Sequence, residues 1–314
     1  MYLDVFAACA VAIVVVMVAT WMVSLLTEDV SIIDPVWGLG FVVVAWVARL
    51  AADGHGVPIR QNVLVGLTTI WGLRLFVHLL VRHHGGGEDF RYRAMRKKQG
   101  ERFRFTSLYR VFAFQGLMMF VVSMPVQVGQ VPNHPSGLGL VGIVGVVVWT
   151  IGIAFETIGD WQLTRFRNDP ATAGIVLDTG LWRYTRHPNY FGDCCVWWGL
   201  FLVAAATGVG ALTILSPIVM TVLLVRVSGV PMLEYSLRKR RAGYDDYIAR
   251  TSGFFPRPPR SLNPRAQNRN LPRICAPRCA ETGKVRDFGV SGGEAGEGGG
   301  GFGHDAGDEL GDGG

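Results

Sequence analysis

The chain has 314 residues, half of them apolar and only 17% charged, with mean hydropathy +0.31, whereas a soluble domain carries about 25% charged residues. The deficit lies in long apolar runs, which excludes a simple soluble fold and marks a membrane protein. The net charge of +6 is confined to stretches between those runs, so it does not point to nucleic acid.

Seven apolar runs are predicted as helices, at roughly 4–26, 32–52, 62–81, 109–129, 138–158, 191–208 and 211–228. Most approach the ~20 residues that cross a bilayer at 1.5 Å rise per residue. The first reads as a span rather than a cleaved signal, because Asp4 stands where a basic n-region belongs. The second opens with Asp34-Pro35-Val36-Trp37, an acid expected at the outer face, across the membrane from the basic loops. The third contains Arg74 and His78, four residues apart and so on one helical face. Arg82 and Arg110, near helix ends, read as side chains that snorkel to the interface.

The fifth run closes with Phe155-Glu156-Thr157-Ile158-Gly159-Asp160-Trp161-Gln162. Glu156 and Asp160 share a helical face, and two like charges there repel unless they bind a cation, accept hydrogen bonds or share a proton. Arg165 and Arg167 follow within two turns as possible neutralisers. Two readings stand: a helix-end charge network, or a polar wall that bonds the sugar hydroxyls or amide of a nucleotide.

Ahead of the sixth run lies Gly180-Leu181-Trp182-Arg183-Tyr184-Thr185-Arg186-His187-Pro188-Asn189-Tyr190-Phe191-Gly192-Asp193. Pro188 suits a first helical turn, whose free N–H groups attract anions. Arg183, Arg186 and His187 surround that turn, and the arginine fork suits a phosphate. Asn189 and Asp193, four apart, enter the span on one side, which a merely structural loop does not require. After the seventh run come Arg226, placed to snorkel or to hold a phosphate, and then Glu234 and Tyr244-Asp245-Asp246-Tyr247.

Charge placement sets the expected topology. Eight Lys/Arg fall between Arg82 and Arg104, and further clusters follow the fifth and seventh runs. The loops 27–31 and 130–136 have none, and 53–61 has only Arg60. By the positive-inside rule the N-terminus is outside, the C-terminus is cytoplasmic and the number of spans is odd. Cysteine spacing offers neither a disulfide framework nor a zinc site, and His83-His84 beside Glu88 and Asp89 fits no metal geometry well. Residues 1–260 form one membrane domain. Residues 261–314, Pro/Arg-rich and then Gly-rich and acidic, are expected to be disordered.

Taken in order, Asp34-Pro35-Val36-Trp37, Trp71-Gly72-Leu73-Arg74, Gly87-Glu88-Asp89-Phe90-Arg91-Tyr92, Phe155-Glu156 to Arg167, Arg186 to Asp193 and Arg226 to Glu234 resemble the steroid 5-alpha-reductase C-terminal superfamily, in its bacterial branch. The resemblance covers about residues 25–258. It implies an all-α membrane bundle of about seven helices, binding NADPH between the later helices on the cytoplasmic side. It further implies hydride transfer to a conjugated carbon–carbon double bond of a lipophilic substrate that enters from the bilayer. Carried over by resemblance, Asp160 and Asn189 hold the nicotinamide–ribose part, Arg167 and Arg226 take phosphates, and Asp193 lies near the nicotinamide. Glu156 stands where the animal steroid enzymes have Asn.

In those enzymes a Tyr–Glu pair from early helices polarises the substrate carbonyl; here the corresponding residues are Trp71 and, for the acid, Asp34. A proton donor is still required, and Tyr92, Tyr184 and Tyr190 are its candidates. The expected site therefore comprises Asp193, Tyr190 and Asp34 for catalysis and Glu156, Asp160, Arg167, Arg186, His187, Asn189 and Arg226 for the cofactor, without a metal. The Arg-His-Pro-Asn-Tyr stretch also resembles isoprenylcysteine carboxyl methyltransferases, so an S-adenosylmethionine-dependent methyltransferase is the alternative. A non-enzymatic membrane protein with a decayed pocket is the third reading.

Overall fold

The computed structural model describes residues 1–83, 87–227, 234, 237–238, 241 and 243–261. The tail expected to be disordered lies, from residue 262 onward, outside the described residues, as does His84. The compact unit Met1–Ser261 is an all-α polytopic membrane bundle, with no strand among the described residues beyond an isolated bridge between Thr185 and Ser252.

Helix α1 spans Tyr2–Thr27, α2 Ile33–Ala51 and α3 Pro58–His83. A short α4 (Phe90–Gln99) and α5 (Phe103–Ser107) lead through a π-helical stretch into α6 (Phe114–Val122), followed by α7 (Met124–Val128). The remaining elements of the bundle are α8 (Gly139–Arg167), α9 (Pro188–Ala205) and α10 (Leu215–Val222). Their starts follow local chemistry. Pro58 and Pro188 open α3 and α9, where the missing N–H costs nothing. Asp89 caps α4 by accepting from the Arg91 N–H at 2.9 Å.

Among the described residues, six helices are long and apolar enough to cross a membrane, and exposed Val14, Val15, Leu140 and Val147 are typical of their outer faces. Helix α9 is outside that set: its first six residues include Pro188, Asn189, Tyr190 and Asp193. It is instead the central helix, with Val196, Trp197, Leu200 and Val203 fully buried.

Glycines bring it there. A Cβ on Gly192 would lie 2.5 Å from the Glu156 nitrogen and 2.6 Å from the Gly152 oxygen, and one on Gly199 would lie 2.7 Å from the Gly145 oxygen. Gly145, Gly152 and Gly159, at seven-residue intervals on α8, thus face Gly199, Gly192 and Pro188 of α9 in turn, the first two pairs backbone against backbone. Gly38 and Gly72 do the same for α2 and α3. Small residues are how helices attract one another in lipid, where no hydrophobic force assembles them.

One sequence expectation is corrected here. Asp34 does not lie across the membrane from the basic segment: Arg91 Nη2 donates to its carboxylate at 2.7 Å and Tyr92 Oη at 2.9 Å. The whole turn between α1 and α2 belongs to the basic end, since the Val30 N–H donates to Glu88 at 3.1 Å and Asp29 pairs with His83 at 3.0 Å. One crossing by α1, then two by α2 and α3, necessarily bring residues 28–33 and 83–90 to the same end. At the opposite end Arg60, fully buried, donates to the carbonyls of Gly129, Pro132 and Pro135 and fastens that loop to α3.

Candidate functional site

Where α8 touches α9, the Gly192 contact sets Glu156 beside Asp193, and Gly159 receives Pro188 and Asn189 next to Asp160. Glu156 is 3% exposed and Asp160 7%. Their neutraliser is neither of the expected arginines. Arg74 of α3 reaches across to donate to the Glu156 and Asp160 carboxylates, and to the Glu156 carbonyl at 3.1 Å. Arg165 instead lies 5.8 Å over the Trp161 ring, and Arg167 has no carboxylate partner among the described residues.

The remaining lone pairs are shared among other helices. Trp71 Nε1 donates to Glu156 at 3.1 Å, Asn189 Nδ2 to Asp160 at 3.2 Å, and His78 Nε2 lies 3.5 Å from Asp160. Asp193 sits beside the Trp71 indole, within electrostatic reach of Arg74 and Asp160, and its Oδ1 is buried without a hydrogen-bond partner. Two buried carboxylates therefore share one guanidinium, with a third, Asp193, nearby. Behind them Trp37, Phe41, Trp71 and Trp197 pack edge-on or tilted, with ring centroids 4.6–5.5 Å apart, and give the cluster a dry apolar wall.

Toward the basic end, Arg167 lies within electrostatic reach of Arg82, Arg241, Asp160 and Tyr190. None of Arg82, Arg167 and Arg241 is paired with a carboxylate among the described residues. Tyr190 is also within reach of Arg91, which joins this neighbourhood to the Asp34–Arg91–Tyr92 group. Tyr92 is 6% exposed, its hydroxyl held by Asp34, with the Arg91 guanidinium 5.3 Å from its ring centre.

The structure places the predicted residues in three groups. Glu156 and Asp160 converge on Arg74, Asn189 donates to Asp160 and Asp193 lies beside them, while Arg167 and Tyr190 border the cluster. Arg186 and His187 are occupied elsewhere. Arg186 donates to Glu234 at 2.8 Å and to the carbonyls of Thr251 and Ile248, and His187 lies 3.2 Å from Glu234. Burial alone would push the Glu234 carboxyl up, but the hydrogen bonds and charges of His187 and Arg186 outweigh it and hold the group below the usual carboxylate range. Thr185 donates to the Phe254 carbonyl and the Arg186 N–H to that of Ser252, so this loop is a clamp on residues 251–257. Arg226 is exposed in the π-helical turn after α10, and no described contact joins it to the arginine group.

Sequence reasoning left Trp71 without a hydrogen-bonding role and gave Arg74 none as the central cation. The signal was present, since Arg74 is two and a half turns inside α3, deep for a guanidinium in an apolar helix. No group of His, Cys, Asp and Glu suited to a metal occurs among the described residues.

Fold and site together define a multi-pass helical membrane protein with a buried carboxylate–guanidinium cluster where α3, α8 and α9 meet. The chain belongs to the family described as "Protein of unknown function (DUF1295)", whose model matches residues 20–251. It is also similar to the uncharacterized protein C594.04c of Schizosaccharomyces pombe, at 22% identity over 209 residues. That match covers 59% of this chain and 60% of the relative, so it spans less than two thirds of the relative's length. No solved structure matches the chain significantly.

Proposed function

We propose that this protein is a membrane-embedded NADPH-dependent reductase acting on a conjugated double bond of a lipid-like substrate, with its site at the cytoplasmic face. The observation that carries the reading is the polar wall of buried Asp160 and half-buried Asn189 where α8 meets α9, with Arg167, which has no carboxylate partner among the described residues, closing the last turn of α8. Arginine suits a phosphate, whose oxygens its fork bonds two at a time. NADPH, when bound, supplies a hydride for one carbon of the double bond. Arg167 takes its phosphates, and Asp160 and Asn189 bond its ribose or amide.

The other carbon requires a proton. Tyr92 is one candidate donor, its hydroxyl held by Asp34, which Arg91 also binds. The aromatic wall at Trp71 and Trp197 excludes water and accepts an apolar substrate arriving from the bilayer. The methyltransferase reading has one observation in its favour. Two carboxylates on a single guanidinium, with Asp193 nearby, suit a cationic cofactor such as S-adenosylmethionine, which lacks phosphates.

NADPH binding to detergent-purified protein, followed by nicotinamide fluorescence and thermal shift with NADH and S-adenosylmethionine in parallel, separates the two. Saturable, NADPH-selective stabilisation that Arg167→Ala weakens is the expected result. Stabilisation by S-adenosylmethionine alone would transfer the protein to the methyltransferases, and binding of neither would leave a decayed site.

A further inference from the structure

The segment entering the fourth span sorts its cations into two sets. Arg91 and Arg96 turn inward, Arg91 to Asp34 and Asp89 and Arg96 to Glu88. Arg93, Lys97, Lys98, Arg102 and Arg104 are all exposed, and none has a carboxylate within 4.0 Å among the described residues. Glu101 is the sole acid in residues 90–110. This basic face also carries exposed apolar side chains: Phe90, Met95, Phe105 and Tyr109.

Its position narrows the partner. Residues 90–122 form one of the six membrane-crossing candidates, so the face sits at the mouth of a span. Trp21 of α1 donates Nε1 to the Arg104 carbonyl at 3.0 Å, and tryptophan so placed near a helix end typifies the headgroup level. A merely solvated charged face has no use for four exposed apolar side chains. Cations interleaved with aromatic and thioether groups at that level match a surface whose phosphates overlie acyl chains.

We propose that Arg93, Lys97, Lys98, Arg102 and Arg104 bind the phosphate headgroups of anionic phospholipids in the leaflet at the basic end of the bundle. The inner face of the same helix presents Tyr92 to Asp34. The inference stands on the outer face alone and holds whether or not the protein is a reductase.

The test uses the full chain in neutral detergent, titrated with phosphatidylglycerol or with phosphatidylcholine of the same acyl length. Binding is read by melting temperature and by lipid adducts in native mass spectrometry. Saturable stabilisation by phosphatidylglycerol, weakened by added salt, is expected. Each Lys or Arg near an anionic leaflet strengthens attachment about fivefold, so Arg93→Gln/Lys97→Gln/Lys98→Gln should weaken it on the order of a hundredfold, with about tenfold as the least acceptable loss. Arg257→Gln/Arg260→Gln, equally exposed but elsewhere, should leave it unchanged. If the triple variant melts lower in phosphatidylcholine, Arg102→Gln/Arg104→Gln replaces it. Equal stabilisation by phosphatidylcholine, an undiminished phosphatidylglycerol effect in the variants, or equal stabilisation by a single-stranded oligonucleotide would each overturn the proposal.

Discussion

Gly192→Ala is the most demanding single change this bundle offers. The new Cβ would stand 2.5 Å from the Glu156 nitrogen, 2.6 Å from the Gly152 oxygen and 2.9 Å from the Glu156 Cβ. The first two are backbone atoms of α8 and cannot rotate aside. Ordinary contact begins near 3.4 Å, so α8 and α9 must part by about 0.9 Å along that line. Overpacking of this kind costs about 1–3 kcal/mol, which lowers Tm by on the order of 2–12 °C for a unit of this size. The separation also moves Glu156 away from Asp193, and a displacement of about 1 Å in a site costs on the order of a hundredfold in activity. Gly66→Ala is the control: it sits inside α3 with nothing within 4 Å of the new Cβ, so better helix propensity should add about 0.5–1 kcal/mol. Gly199→Ala, at 2.7 Å from the Gly145 oxygen, should cost comparable stability but spare NADPH affinity, since it lies one heptad from Gly192 and away from Asp193. Thermal melts in detergent with parallel NADPH titrations check all three. A Gly192→Ala protein that melts at or above the wild-type temperature would refute the backbone-contact reasoning.

Arg74→Met should cost about 3–5 kcal/mol, because it strands Glu156 and Asp160 without their cation. Adding Glu156→Gln to that variant should recover part of the loss in a chemical or thermal melt, and a double mutant no more stable than Arg74→Met would count against the charge account. Tyr92→Phe should keep NADPH affinity and lower turnover at least about a hundredfold if the hydroxyl delivers the proton, and unchanged single-turnover reduction would remove it from the mechanism. The folded pKa of Glu234 lies below its ordinary 4.5, so its contribution is full above that value and is lost as pH falls through the folded pKa. Melts from about pH 7 to about pH 3 should show an acid-side loss that Glu234→Gln reduces, and identical profiles would exclude the clamp from acid stability.

Among the described residues, hydropathy located six of the seven predicted spans, because crossing a bilayer is a local demand satisfied along one helix; the other, 191–208, is α9, which falls outside the membrane-crossing set. The Asp34 placement failed for a reason in the same physics. The positive-inside rule counts basic residues, and the turn at 27–31 has none of its own; its cations, His83, Arg91 and Arg96, come from the next loop at the same end. Glu156 and Asp160 were legible as a pair, but their counterion was sought twelve residues downstream or less and arrived from 82 residues upstream. Arg186 and His187 were legible as a charged helix start, yet nothing local showed that Glu234 would take both. The seven-residue glycine pattern of α8 and α9 was visible in the sequence, and it is what makes the site possible. A helix with Asn189 and Asp193 near its start is a poor candidate to cross lipid alone. With Gly145, Gly152 and Gly159 admitting it to backbone contact, α9 is shielded by more apolar helices and buries its acid against theirs. The polarity that keeps α9 out of the membrane-crossing set is therefore the mark of the helix on which the proposed site is built.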